Sequence, residues 1–114
     1  PEAAPPSTHV SALIDRMREG RWREERRAAA RELREMPGVP PWARAAAELE
    51  LARTCAERRR ALERLSEIAS PEARPVIARM RNAPPTGCGR GGRSDCYACI
   101  RAELERAYRA SGGT

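Results

Sequence analysis

Lysine and phenylalanine do not occur in this chain of 114 residues, histidine occurs once, and only two Trp and two Tyr are present. So little aromatic bulk leaves core packing to aliphatic side chains and alanine. Val, Ile and Thr are scarce beside Ala, Arg, Glu and Leu, a mix that favours helix and disfavours sheet. No apolar run approaches the roughly 18 residues of a membrane-spanning helix, and no signal-peptide pattern is present. A cytoplasmic protein without a membrane partner is therefore expected. The shortage of chemistry-bearing residues also excludes much. His9 lies in the Pro/Ala-rich opening at the edge of the first helix, remote from any nucleophile it would have to activate. Aspartate is limited to Asp15, on a helix surface, and Asp95, placed as a cap. The glutamates fall in charge ladders rather than in buried pairs tuned for acid–base work. "GCGRGG" follows no strand and lacks the Lys-Ser/Thr of a P-loop. The expectation is a non-enzyme with no catalytic or cofactor-binding residue and no small-molecule substrate.

Arginine is what the chain has in abundance. All 22 basic residues are Arg, set against 16 acids, for a net charge of +6. A GC-rich coding genome accounts for Arg, Ala, Pro and Gly together. The functional counterpart is guanidinium chemistry, with bidentate contacts to phosphate or carboxylate. Glu and Arg recur three or four apart, as in Arg31 with Glu35, Glu57 with Arg60, and Glu105 with Arg109. Such spacing predicts salt-bridged, solvated helix faces worth a few tenths of a kcal/mol per pair.

Turn and cap signals divide the chain into six helices with no convincing strand. Residues 1–7 read as a Pro/Ala-rich linker; with no initiator Met, they suggest a domain excised from a longer protein. Ser7 or Thr8 caps a helix whose face is Val10, Leu13, Ile14 and Met17, and Gly20 ends it. The next helix turns Trp22, Ala29, Ala30, Leu33 and Met36 inward and stops at Pro37-Gly38. Pro40-Pro41 opens a third, with Trp42, Ala45, Ala46 and Leu49 on one face. "TCAE" at Thr54 to Glu57 has the form of a capping box, which breaks the long segment there. The fourth helix buries Ala61, Leu62, Leu65 and Ile68. Ser70-Pro71 starts the fifth, which carries Val76, Ile77 and Met80, with some distortion expected at Pro75. A Gly/Cys loop spans 83–94. Asp95 is then placed to cap the last helix, which faces Cys96, Cys99, Ile100, Leu104 and Ala107 inward. The folded domain is thus expected over 8–110, with 111–114 a flexible tail.

A shift of 32 residues lays "RRAAARELREM" over "RRRALERLSEI", matching Ala29 with Ala61, Leu33 with Leu65 and Met36 with Ile68. Such a period is typical of helical solenoids. "ERRRALERLSEIASPEARPVIARM" (Glu57 to Met80) resembles a HEAT/armadillo-type repeat, with Pro71, Ala73, Pro75 and Ile77 at the characteristic positions of its second helix. Val10 to Arg53 matches loosely, because Pro37-Gly38 and Pro40-Pro41 depart from the pattern. The chain also resembles the helical appendages of bacterial serine/threonine protein kinases of the eukaryotic type. The resemblance implies short helices stacked as antiparallel pairs, in a regulatory or docking module that binds another protein or another domain of its own. Stacked pairs leave extended surfaces of that kind.

The four cysteines fit four arrangements. Cys55, Cys88, Cys96 and Cys99 can form an all-cysteine zinc site, although only one C-x2-C knuckle is present. A disulfide from Cys88 to Cys96 or Cys99 can pin the glycine loop to the last helix. Reduced cysteines can serve as small core hydrophobes. A redox centre is the fourth, with Cys96 among Arg90, Arg93 and Arg101, but without the βαβ setting of thioredoxins. The disulfide is favoured, no metal or other cofactor is expected, and zinc stays as the alternative. Arg79, Arg81, Arg90 and Arg93 gather near the loop as anion or phosphate contacts. Without stacking aromatics they argue weakly for nucleic acid, and clustered in space they would suit a phosphoprotein equally well. A protein-interaction module is therefore the primary reading, and a small basic nucleic-acid-binding domain with a zinc-held cysteine end the second.

Overall fold

Ser7 starts the first helix, α1 (Thr8–Glu19), by accepting the Val10 amide at 3.2 Å on its hydroxyl. Gly20 stops it; a Cβ there would run into the Arg16 carbonyl. α2 (Arg23–Glu35) begins after Trp22 without a side-chain cap, but Glu24 and Glu25 complement the positive end of its dipole. α3 (Pro41–Leu51) has proline at its first position, where the missing N–H costs nothing. The chain then breaks where the capping box predicts. Thr54 Oγ1 accepts the Glu57 amide and the Glu57 carboxylate accepts the Thr54 amide, both at 3.1 Å, opening α4 (Cys55–Ile68).

Ser70 accepts the Glu72 amide at 3.3 Å, and Pro71–Ala73 form a single 3-10 turn before α5 (Arg74–Arg81). The distortion expected at Pro75 takes that form. The Gly/Cys loop contains a two-residue antiparallel ladder, β1 (Gly87–Cys88) with β2 (Ser94–Asp95), pairing Gly87 with Asp95 and Cys88 with Ser94. A 3-10 turn at Ala98–Ile100 leads into α6 (Arg101–Ala110). The computed structural model describes residues 6–112; among these the fold is all-α, with six helices and that one short ladder. The linker expected over 1–7 lies outside them except for Pro6 and Ser7.

Helix α3 holds the centre. Trp42, Ala43, Ala45, Ala46, Ala47 and Leu49 are all buried, as in a helix surrounded by others. Connections of three to five residues lay α1, α2, α3 and α4 against one another in order. The order then changes: α4 has its main neighbours in α3 and α6, and α5 lies against α6, α1 and α3. The shift of 32 carries the start of α2 at Arg23 onto the start of α4 at Cys55. Ala29 and Ala61, and Leu33 and Leu65, are buried pairwise, while Met36 and Ile68 are both partly buried against the core.

Three inward placements differ from expectation. Trp22 is 63% exposed, because it precedes the helix in extended backbone and so falls off the α2 face. Cys99 is exposed and Cys96 half-buried; α6 starts only at Arg101, so the inward face is Ile100, Leu104 and Ala107. Ser111, expected in a flexible tail, is 1% exposed and its carbonyl accepts from Arg74 at 3.0 Å.

Candidate functional site

Many of the guanidinium groups turn onto the protein itself. A helix leaves its last carbonyls without intrahelical donors and partly negative, and arginines from other elements meet them. Arg79 donates to the Arg18 carbonyl at 2.6 Å at the end of α1, and Arg44 to Arg34 and Met36 at 2.7 and 2.8 Å at the end of α2. Arg27 reaches the Glu50 carbonyl near the end of α3 at 2.9 Å. Arg101 spans the carbonyls of Met80, Arg81 and Ala83 at 3.2, 2.9 and 3.0 Å beyond α5. The planar fork with five donors lets Arg101 hold three carbonyls and a carboxylate at once.

Of the three intrahelical pairs expected from spacing, only Glu105 with Arg109 closes, at 3.4 Å. Arg31–Glu35 and Glu57–Arg60 do not appear among the described ion pairs, since Glu57 is spent on its capping box. Most pairs instead join different elements, including Arg64–Glu48 at 3.0 Å and Arg59–Glu103 at 2.9 Å.

Two clefts show how differently these charges are balanced. The larger, about 360 Å³, lies where the end of α3 meets α2 and α4, and holds Arg34, Arg60 and Arg64 with Glu48 and Glu57. Its acids are engaged, Glu48 by Arg64 and Glu57 by the capping box. The smaller, about 100 Å³, is lined by Arg23, Arg26, Arg58 and Arg79 with a single acid, Glu50, and Tyr97 as one wall. Glu50 is only 8% exposed. Arg26 Nε donates to its Oε1 at 3.1 Å, while Arg79 Nη1 stands 3.6 Å from the same oxygen without a hydrogen bond. Burial first, then the nearby charge of Arg26, pulls the Arg79 guanidinium below its ordinary pKa. Arg58 lies 5.4 Å over the Tyr97 ring, and its Nε is buried without a partner.

Tyr97 is positioned by the cysteine-rich end. Cys55 is bonded to Cys99, joining the start of α4 to the 3-10 turn before α6, and Cys88 to Cys96, closing the ladder; their Cα atoms are 6.2 and 5.0 Å apart. The expected disulfide from Cys88 thus goes to Cys96, and the second bridge, from distant Cys55, carried no sequence signal. With all four cysteines paired, none is a thiolate for zinc, a reactive thiol or a reduced core residue. Asp95 is not the cap of α6, which starts six residues later. Its Oδ1 accepts the Tyr97 amide at 2.9 Å, and its two oxygens take Arg101 Nη2 and Nε at 2.7 and 2.8 Å. The Arg101 hydrogen bond, then the Tyr97 amide, hold the Asp95 carboxyl below the usual carboxylate range.

The four arginines read as one anion cluster do not come together. Arg79 enters the small cleft, Arg81 pairs with Glu105 at 2.7 Å and lies over Tyr108, and Arg90 and Arg93 stay exposed on the loop. His9 stands in the first turn of α1 rather than in a linker, beside a shallow apolar depression with Met36 and Pro37. Sequence spacing does not group Glu50 with Arg23, Arg26 and Arg58. One signal pointed to Glu50: a carboxylate between two leucines in the last turn of α3 opposes the helix dipole unless cations meet it. No family model, curated protein or solved structure matches the chain.

Proposed function

We propose that this protein is a non-catalytic interaction module of a larger regulatory protein, docking an acidic segment of a partner protein on the face around the α1–α2 turn. The observation that carries this is Trp22, the one large apolar side chain exposed among the described residues, with Arg21 4.8 Å over its ring. Exposed Trp and Arg dominate binding energy at protein interfaces. The adjoining Arg23 lines the small cleft without an ion-pair partner among the described residues, so an acidic chain crossing Trp22 meets uncompensated positive charge. Nucleic acid is less well supported, because so many guanidinium groups are spent on internal carbonyls and carboxylates. No described helix is long and apolar enough to cross a membrane. Two disulfides in so short a chain favour an oxidising compartment over the expected cytoplasm.

Trp42 is buried, so a change in indole fluorescence on binding reports Trp22. An acidic peptide should shift the emission to the blue, and in calorimetry, which does not need the indole, Trp22→Ala should weaken binding about 30-fold, as expected for an interfacial hot spot of about 2 kcal/mol. A random-sequence oligonucleotide that binds more tightly than the peptide, with a steep loss as salt rises, would transfer the assignment to nucleic acid.

A further inference from the structure

The small cleft has more cation than the protein itself neutralises. Arg23, Arg26, Arg58 and Arg79 face one carboxylate, Glu50, which hydrogen-bonds only Arg26 among them. Neither Arg23 nor Arg58 has an ion-pair partner among the described residues. Arg58 Nε and Arg79 Nη1 are buried N–H groups without an acceptor. Such groups are costly when left unmade, and native proteins leave few of them. Water in the cleft cannot offset the excess charge. A compact polyanion can, and guanidinium forks match the oxygen geometry of phosphate.

Size narrows the ligand further. About 100 Å³ corresponds to roughly three waters at about 30 Å³ each, room for one tetrahedral oxyanion. A nucleotide or other drug-sized ligand needs about 300 Å³ or more. The larger cleft has the volume, but its acids are already engaged by Arg64 and the Thr54 cap.

We propose that the cleft formed by Arg23, Arg26, Arg58 and Arg79 around Glu50 binds a single phosphoryl group, either free orthophosphate or one carried on a protein side chain. Arg58, which has no ion-pair partner among the described residues, supplies the main free guanidinium, with Arg79 beside it, Arg23 closes the rim, and Tyr97 forms the wall against which Arg58 is held. Glu50 competes with the ligand while keeping the guanidinium groups together in its absence. This site goes beyond the docking proposal, and orthophosphate binding requires nothing of Trp22.

The test uses the oxidised full chain. Inorganic phosphate is titrated against chloride at constant ionic strength, following the Nε–H NMR signals of Arg58 and Arg79. Both should move together and saturate. Arg58→Gln should weaken binding about tenfold or more, the loss expected for a hydrogen bond to a charged group. Arg23→Gln, at the exposed rim, should weaken it less and serves if Arg58→Gln fails to fold. Glu50→Gln should tighten binding by removing the competitor, which a purely structural role for Glu50 does not explain. Absence of saturable shifts, or equal affinity in the folded arginine variants, would overturn the site. A phosphoserine peptide that binds more tightly than orthophosphate assigns a protein-borne phosphoryl group. Equal or weaker binding assigns the free ion, and binding of neither refutes the proposal.

Discussion

From Thr8 to Leu51 three helices are held chiefly by apolar side chains, among them Leu13, Met17, Leu33 and Leu49, packed against the small faces of Ala29, Ala30 and the alanines of α3, with Arg26, Arg27 and Arg44 adding hydrogen bonds between α2 and α3. From Arg81 to Cys99 no residue is fully buried. Yet this second region follows a defined path, fixed by two disulfides, by Asp95, and by Arg101 spanning three carbonyls and that carboxylate. The first region is stabilised by removing apolar area from water, which needs only the right periodicity. The second substitutes covalent and charge-assisted cross-links, which need particular partners. The small cleft lies where the two meet, with Arg26 and Glu50 from the apolar half and Tyr97 from the cross-linked end.

The largest break in this contrast comes from the longer bridge. The loops closed by Cys55–Cys99 and Cys88–Cys96 have sequence separations of 44 and 8. Loop-closure entropy then gives about 4 kcal/mol for the first and about 2.5 kcal/mol for the second. Urea unfolding of Cys55→Ser/Cys99→Ser beside Cys88→Ser/Cys96→Ser should show that order. Equal losses would mean that the cross-linked end does not depend on its tie to α4.

A smaller effect is expected at Arg101. Arg101→Lys keeps the charge but loses the fork, and should cost about 1.5–3 kcal/mol. Hydrogen exchange should then rise first around Tyr97, while amides near Leu33 keep their protection. The same change at Arg34, whose pair with Glu35 is solvated, should leave stability nearly unaltered.

Acid should separate the regions most gently. Asp95, Glu103 and Glu105 are held below their ordinary pKa values, chiefly by hydrogen bonds from Arg101, Arg59 and Arg81. Their folded pKa values lie below the unfolded ones, so their contribution is present above the ordinary carboxylate range, about pH 4, and is lost as pH falls below it. Amide protection at Tyr97 and Arg101 should therefore fade below about pH 4 before that of Leu13 or Leu33. Simultaneous loss would make the molecule a single cooperative unit under acid.

The starts of α1, α3 and α4 and the end of α1 are legible in the chain because each signal is local. Ser7, Gly20, Pro41 and the Thr54–Glu57 box act on backbone groups a few residues away. The same holds for the buried faces, which follow the 3.6-residue period. The reading failed wherever a residue stood just outside a helix. Trp22 and Cys99 have inward positions on paper only if their helices extend to include them. The candidate site was least legible. Of the four loop-proximal arginines only Arg79 reaches the cleft, because the others were grouped by closeness in sequence, which says little about where long side chains end.

Local order alone settled the all-α class, the starts of α1, α3 and α4 and the apolar stripes, since caps, turns and periodicity act within one or two helical turns. Folding in three dimensions decided the rest. It set α6 beside α4, joined Cys55 to Cys99, and turned several arginines into caps on other helices' carbonyls. It also brought four guanidinium groups around Glu50 from three helices distant in sequence. Those outcomes depend on contacts between segments tens of residues apart, where neither spacing nor composition carries information about which partner is met.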